Sequence, residues 1–342
     1  MNTYSIIKWY RRIKSPRIKL LGILTLHLTK RRYLYVLMDP SLACNLRCRM
    51  CYFSNPEDAK QLHGVFSNED IRQIARSVFP RVLKLQIGCG AEPTTYAGLA
   101  GLVKAAHERG VPHISLTTNG NLLTRETLLH LADEGLNEMV LSAHGLDKDT
   151  YEYMMRNAEF SRFIRLIGDV GVVKERHPSF QLRLNYTVCA DNIDSLAHFQ
   201  EVFGKVKPDV VQLRPVQDIG STAYDNYSMK ALDEKYEERI GPLIEYCKAN
   251  HITCLYPERA NINSIEHENK TQKHVNRVVE MLPLFHLSPH QGWKESFNPY
   301  EETFDQYCRR THRIRFILKH LVNPRGAGEQ EHVTKALNYK ID

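Results

Sequence analysis

Three cysteines, Cys44, Cys48 and Cys51, fall in the run Cys44-Asn45-Leu46-Arg47-Cys48-Arg49-Met50-Cys51. Thiolates are the standard ligands of iron-sulfur clusters, and a closed four-iron centre takes four of them. Three in one short loop would hold a 4Fe-4S cluster and leave one iron open to a small molecule. A zinc site is the competing reading, but zinc motifs favour cysteine pairs two residues apart and a closed set of four ligands. The remaining cysteines, Cys89, Cys189, Cys247, Cys254 and Cys308, are scattered. They are too sparse for a disulfide scaffold, and cluster thiols must be reduced, so a cytoplasmic setting is expected. His286 and His290, and Cys308 and His312, share a four-residue spacing, but two ligands do not make a metal site, and all four are expected to be surface residues.

The elements that must position the loop are short apolar runs alternating with helical segments between Tyr33 and Pro257, a pattern of βα units around a parallel sheet in an α/β fold. Strands are predicted at Leu34–Asp39, Val82–Gly88, His113–Thr118, Glu138–Ala143, Gln181–Val188 and Val210–Pro215, with Ile252–Tyr256 as a further candidate. Ser67 with Asp70, and Thr124 with Gly135, punctuate helices between them. One parity of the strands is polar: Ser115, Thr117 and Asn119, then Ser142 and His144, then Arg183, Asn185 and Thr187, then Gln212 and Arg214. The other parity is apolar: Ile114, Leu116, Leu141, Leu182, Leu184, Val211 and Leu213. Helices normally cover both faces of a parallel sheet, so a polar inner face implies a large polar ligand inside.

The chain has 342 residues, 42% of them hydrophobic, and a net charge of +7. That length allows one large α/β domain with appendages. Residues 1–32 contain nine Lys or Arg and no acid, which leaves the rest at −2. Ile6, Trp9, Tyr10 and Ile13 follow helical spacing, with Lys8, Arg11 and Arg12 on another face. After Pro16, the run from Ile18 to Leu28 is apolar but too short to span a bilayer. No small-x-small site precedes Lys30-Arg31-Arg32, so a cleavable signal peptide is not expected. Two readings of residues 1–32 stand side by side. They lie on an anionic membrane surface at the inner face of the membrane, or they cover the bottom of the barrel. Residues 33–257 are the expected barrel domain, and 258–342 form an irregular C-terminal extension with a basic helix expected around Arg313–Leu321.

The segment from Pro40 to Cys51, with its Cys-Asn-Leu-Arg-Cys core, resembles the signature loop of the radical S-adenosylmethionine (SAM) superfamily. The resemblance covers about residues 36–217 and implies a partial (β/α)6 TIM-like barrel. It also implies that SAM chelates the open iron and that one electron from the cluster cleaves it to a 5'-deoxyadenosyl radical. Further motifs follow in strand order. Gly88-Cys89-Gly90-Ala91-Glu92-Pro93 is similar to the Gly-Gly-Glu element, whose Gly90 would let the backbone approach and whose Glu92 would meet the SAM ammonium. Thr118-Asn119-Gly120 is similar to the Thr-Asn-Gly element. Ser142-Ala143-His144-Gly145 is similar to a Ser-x-Asp-Gly element, with Ser142 contacting the carboxylate or the ribose. Asn185 matches a position that reaches the ribose, and Met50 stands where an aromatic residue commonly packs near adenine. Ala91 and His144 also depart from the family pattern. His144 is a candidate acid or base, against a plain hydrogen-bonding role. Arg214 is a candidate clamp for an anionic substrate or the SAM carboxylate, against an internal salt bridge.

The expected activity is therefore a radical SAM reaction fed by an electron donor such as flavodoxin or ferredoxin. The isolated cysteines of the tail argue against auxiliary clusters. A lipid or lipid-linked substrate ranks first because of the basic N-terminus, and peptide modification, as by a maturase, ranks second. Nucleic acid ranks last, since the body carries no sustained positive face. The rival from another class is a cluster-binding redox or regulatory protein that never cleaves SAM, and a structural zinc protein is more remote.

Overall fold

A computed structural model describes residues 12–13, 15–220, 222–259, 262, 282–322 and 340–341. The helical face of Ile6, Trp9 and Tyr10 lies outside the described residues.

Strands β1 (Leu34–Met38), β2 (Val82–Ile87), β3 (His113–Thr118), β4 (Glu138–Ala143), β5 (Gln181–Val188), β6 (Val210–Pro215), β7 (Thr253–Tyr256), β8 (Leu284–Leu287) and β9 (Lys340–Ile341) form one sheet. Its order is β8-β1-β2-β3-β4-β5-β6-β7-β9. Every pairing is parallel except β9 on β7. The six expected strands form within a residue of their predicted ends, and Thr253–Tyr256 extends the sheet as the seventh. β8 was not expected. It pairs with β1, with Tyr35 opposite Leu284 and Met38 opposite Leu287, so the tail beyond residue 257 contributes to the sheet. The architecture is α/β, that of a partial TIM-like barrel.

Helices on the outer side include α1 (Pro16–Leu28), α2 (Asn68–Ser77), α3 (Leu99–Glu108), α4 (Arg125–Asp133), α5 (Phe160–Arg176), α6 (Phe199–Phe203), α7 (Gly241–Ala249), α8 (Phe304–Arg310) and α9 (Arg313–Val322). Their punctuation follows the sequence. Ser67 Oγ accepts from the Asp70 amide at 3.1 Å while Asp70 Oδ2 accepts from the Ser67 amide at 2.8 Å, a reciprocal cap that starts α2. Thr124 caps α4 through the Thr127 amide, and Gly135 at φ +111° ends that segment.

The apolar strand parity is the core. Ile114, Leu116, Leu141, Leu182, Leu184, Val211 and Leu213 are at most 1% exposed. The polar parity is only partly covered at Thr117, Ser142, Arg183, Asn185, Thr187 and Arg214. Alternation along β5 is strict, with every second residue from Leu182 buried. The sheet is therefore packed against helices on one face and curved around polar side chains on the other.

α1 packs its inner face, Leu20, Ile23, Leu24 and His27, into the core. It lies at the N-terminal ends of the strands. Arg81, just before β2, donates to the His27 carbonyl at 2.9 Å, and Arg32 donates to the carbonyls of Phe79, Val82 and Arg109. The cover over the bottom of the barrel is thus what α1 supplies on its inner side. Cys308 departs from the surface position expected of it. It is 1% exposed, on α8 beside Phe304 and Tyr33, where a thiol packs as a small apolar group. His286, His290 and His312 are exposed.

Candidate active site

The cysteine loop follows β1 and is held from both sides. Arg47–Cys48 pairs antiparallel with Met155–Arg156, and the Arg49 amide donates to the Met154 carbonyl at 2.9 Å. Leu46 and Phe53 are buried beneath it. Met50 is also buried, at 8% exposure, and packs in the core. The three thiols are partly exposed. Burial raises all three pKa values; that of Cys44 is pushed up to about 11, and Cys48 is raised further by the proximity of Cys51 and Cys44. Amides already point at the sulfurs, with Leu46 N 3.4 Å from Cys44 Sγ and the Phe53 and Tyr52 amides on Cys51. A crowded trio of thiols becomes a trio of thiolates only with a cationic centre among them. Among the described residues no three His, Cys, Asp or Glu side chains gather closely enough for a single metal ion. A four-iron cluster asks for a wider triangle, one thiolate to each of three irons.

Glu92 joins this loop to β3. Its amide donates to the Ala43 carbonyl at 2.9 Å. Its carboxylate, 3% exposed, accepts from the Thr94 amide and hydroxyl, from Thr118 Oγ1 at 2.7 Å and from the Asn119 amide at 2.8 Å. Burial pushes its pKa up while these donors push it down, and burial prevails. Three of its donors converge on Oε1, so Oε2 keeps the lone pair that a cationic ligand group would use. Asn119 completes the link, since its Nδ2 donates to Asn45 Oδ1 inside the cysteine loop at 2.9 Å. The loop, Glu92 and Asn119 therefore form one connected assembly.

Asp39 was missed in the sequence. It directly follows β1, and its Oδ1 accepts from the amides of Cys89 at 2.8 Å, Gly90 at 3.1 Å and Ala91 at 3.2 Å. Three consecutive amides wrapped on a carboxylate fix the course of the loop after β2. The available signal was an acid directly before the cysteine loop, opposite a glycine-containing turn. Gly90 lies under the Tyr52 hydroxyl, which donates to its carbonyl; a Cβ there would stand 2.7 Å from that oxygen.

Inside the strands, Ser142 is half-buried. Two polar atoms on the same inner face, Thr117 Oγ1 and His144 Nδ1, are buried without a hydrogen-bond partner among the described residues. Orphaned polar atoms in a cavity are satisfied by a ligand or by water. Burial, with help from the Arg214 guanidinium, lowers the His144 pKa to about 4, so the ring is neutral at physiological pH and carries no imidazolium proton to donate. Arg214 also bears on Cys89 and Tyr35. Asn185 Oδ1 accepts from Arg183 Nε at 3.2 Å, and Arg183 also donates to Gln212, so these three share the inner face as expected. Near the closed end lies a charged set the sequence did not reveal. Glu138 Oε2 is 3.1 Å from both Lys84 Nζ and His113 Nε2, all three buried. Burial opposes ionisation of Glu138, but Lys84 and His113 outweigh it and hold the carboxyl well below its usual range.

The sequence profile of the Radical SAM superfamily matches residues 38–171, which contain the cysteine loop, Glu92, Asn119 and Ser142. A probable GTP 3',8-cyclase of Saccharolobus solfataricus is 30% identical over 208 residues, covering 58% of this chain and 62% of that protein. The chain thus spans less than two thirds of the length of that curated relative. In fold, the chain is similar to SuiB of Streptococcus suis bound to its precursor peptide SuiA, with a TM-score of 0.57, 18% identity, and 84% and 67% of the two chains covered. It is similar also to anSMEcpe with bound AdoMet, with a TM-score of 0.52, 18% identity, and 65% and 64% covered. The cysteine loop and the strand-end motifs agree with this match: residues 38–171 carry the sequence profile of the Radical SAM superfamily.

Proposed function

We propose that the chain is a radical SAM enzyme. In this reading Cys44, Cys48 and Cys51 would hold a 4Fe-4S cluster with one iron left for SAM, and its electron would come from an external donor of the flavodoxin or ferredoxin kind. Bound together, cluster and SAM supply a 5'-deoxyadenosyl radical. The protein's part is to position and to exclude water. Glu92 Oε2 would meet the SAM ammonium, Ser142 and Asn185 would take its carboxylate and ribose, and Met50, buried beside the loop, would back the adenine. The observation that carries this reading is the hydrogen-bonded chain from Asn45 through Asn119 to Glu92, which joins the thiols to the ligand-facing ends of the strands.

The substrate on this reading presents a polar, anionic group to Arg214, beside the neutral His144, which accepts or bridges a hydrogen bond. The curated relative acts, by its name, on a nucleoside triphosphate, a substrate of that kind. The polar lining also suits the headgroup of a lipid-linked molecule and disfavours its acyl chain.

The ligand assignment is tested by loading wild type and Cys48→Ala anaerobically with iron and sulfide. The wild type should gain a 4Fe-4S absorption band and, once reduced, a paramagnetic signal that SAM perturbs. The variant should lose both, and a variant that kept the full 4Fe-4S spectrum would overturn the assignment.

A further inference from the structure

We infer that the outward face of α1, together with that of its neighbour α9, docks on an anionic lipid bilayer. This inference stands independently of the SAM chemistry. A surface helix ordinarily turns apolar residues inward and polar residues outward. α1 does not. While Leu20, Ile23, Leu24 and His27 are buried, Ile18, Leu21 and Leu28 on the other side are 58%, 56% and 60% exposed. Their spacing of three and seven residues makes one stripe along the helix. α9 packs beside α1, and Arg17 Nε at the start of α1 donates to the Leu321 carbonyl at the end of α9 at 3.2 Å, so the two run antiparallel. α9 adds Leu318 at 48% and Val322 at 82% exposure.

The charges around this stripe have one sign. Arg17, Lys30, Arg31, Arg315 and Lys319 are exposed, and neither helix contains an acid. On the adjoining α8 segment Asp305 faces Arg81 at 3.2 Å and Glu302 faces Arg310 at 2.6 Å. An apolar stripe edged only by cations matches the anionic interface of a bilayer, where acyl chains receive the leucines and headgroups receive the cations. A folded partner protein would have to supply both an apolar groove and a uniformly acidic rim. No helix among the described residues is long and apolar enough to cross a membrane, so the contact lies in the membrane plane.

The geometry also sets an orientation. α1 ends where β1 and β2 begin, whereas the cysteine loop and Glu92 lie at the opposite ends of those strands. Docking through α1 therefore holds the closed end of the barrel against the bilayer and turns its mouth toward the aqueous side. The surface tethers the enzyme and does not feed the barrel.

The test is co-sedimentation of the full-length protein with vesicles of phosphatidylcholine, with and without about one third phosphatidylglycerol. Two variants are compared with wild type: Ile18→Ser/Leu21→Ser/Leu28→Ser, and Arg315→Glu/Lys319→Glu. All five positions are exposed and the two variants alter different helices, so misfolding of one leaves the other as the test. Wild type should bind the anionic vesicles, and each variant should bind them about tenfold more weakly. Variants that bind like wild type would overturn the inference, as would a wild type that ignores both kinds of vesicle. A wild-type dimer that the serine variant dissolves, without vesicle binding, would assign the face to a second copy of the chain instead.

Discussion

His144 shows how a single position reports on the cavity. Its pKa falls from 6.5 to about 4 because burial, and then the Arg214 guanidinium, oppose its charge. Between those values the unfolded chain takes up a proton that the folded chain refuses. The stability is therefore fully present above about pH 6.5 and is lost as pH falls toward about 4. From about pH 6.5 to pH 5 the loss from this group is about 1.5 kcal/mol. Urea titrations of iron-free wild type and His144→Gln at several pH values should show the wild type weakening by that extra amount. Parallel curves would mean that the imidazole is solvated and that Arg214 does not act on it. Asp39 and Asn45 belong to the same scale and were not legible in the sequence. Their importance comes from hydrogen bonds to Cys89–Ala91 and to Asn119, partners about 50 and 74 positions away, which no local spacing reveals.

Among the elements, the turn after β2 carries the most constraint. Gly88 has φ +86°, and a Cβ there would stand 2.4 Å from the Thr117 carbonyl. Backbone preference and contact both oppose any side chain. Gly88→Ala should therefore lower stability by about 2 kcal/mol, seen as a lower urea midpoint at unchanged slope. The same substitution should loosen the loop that Asp39 holds, and a neutral effect would show that this turn relaxes freely. The strands themselves were legible because their period of two separates a polar from an apolar parity without reference to distant residues. Leu284–Leu287 was not, since a four-residue run among histidines and prolines becomes a strand only through its pairing with β1. α9 was foreseen as a basic helix within one residue of its end, yet its place beside α1 depends on contacts across nearly the whole chain.

At the scale of the molecule, three loops from successive strand ends meet at the cysteines, and a polar inner face lies beside them. The cysteines, Glu92, Asn119 and Ser142 stand out in the sequence because each sits in a short motif. The hydrogen bonds that make them one assembly are the structure's addition. It also separates two ends of the barrel, one bearing the cysteine loop and Glu92 and the other bearing α1 and its exposed apolar stripe. On the proposed reading, this assembly serves to cleave SAM reductively. Anaerobically reconstituted protein, supplied with SAM and dithionite, should release 5'-deoxyadenosine in a cluster-dependent manner, whereas a fully formed 4Fe-4S cluster that neither binds SAM nor yields 5'-deoxyadenosine would contradict the account.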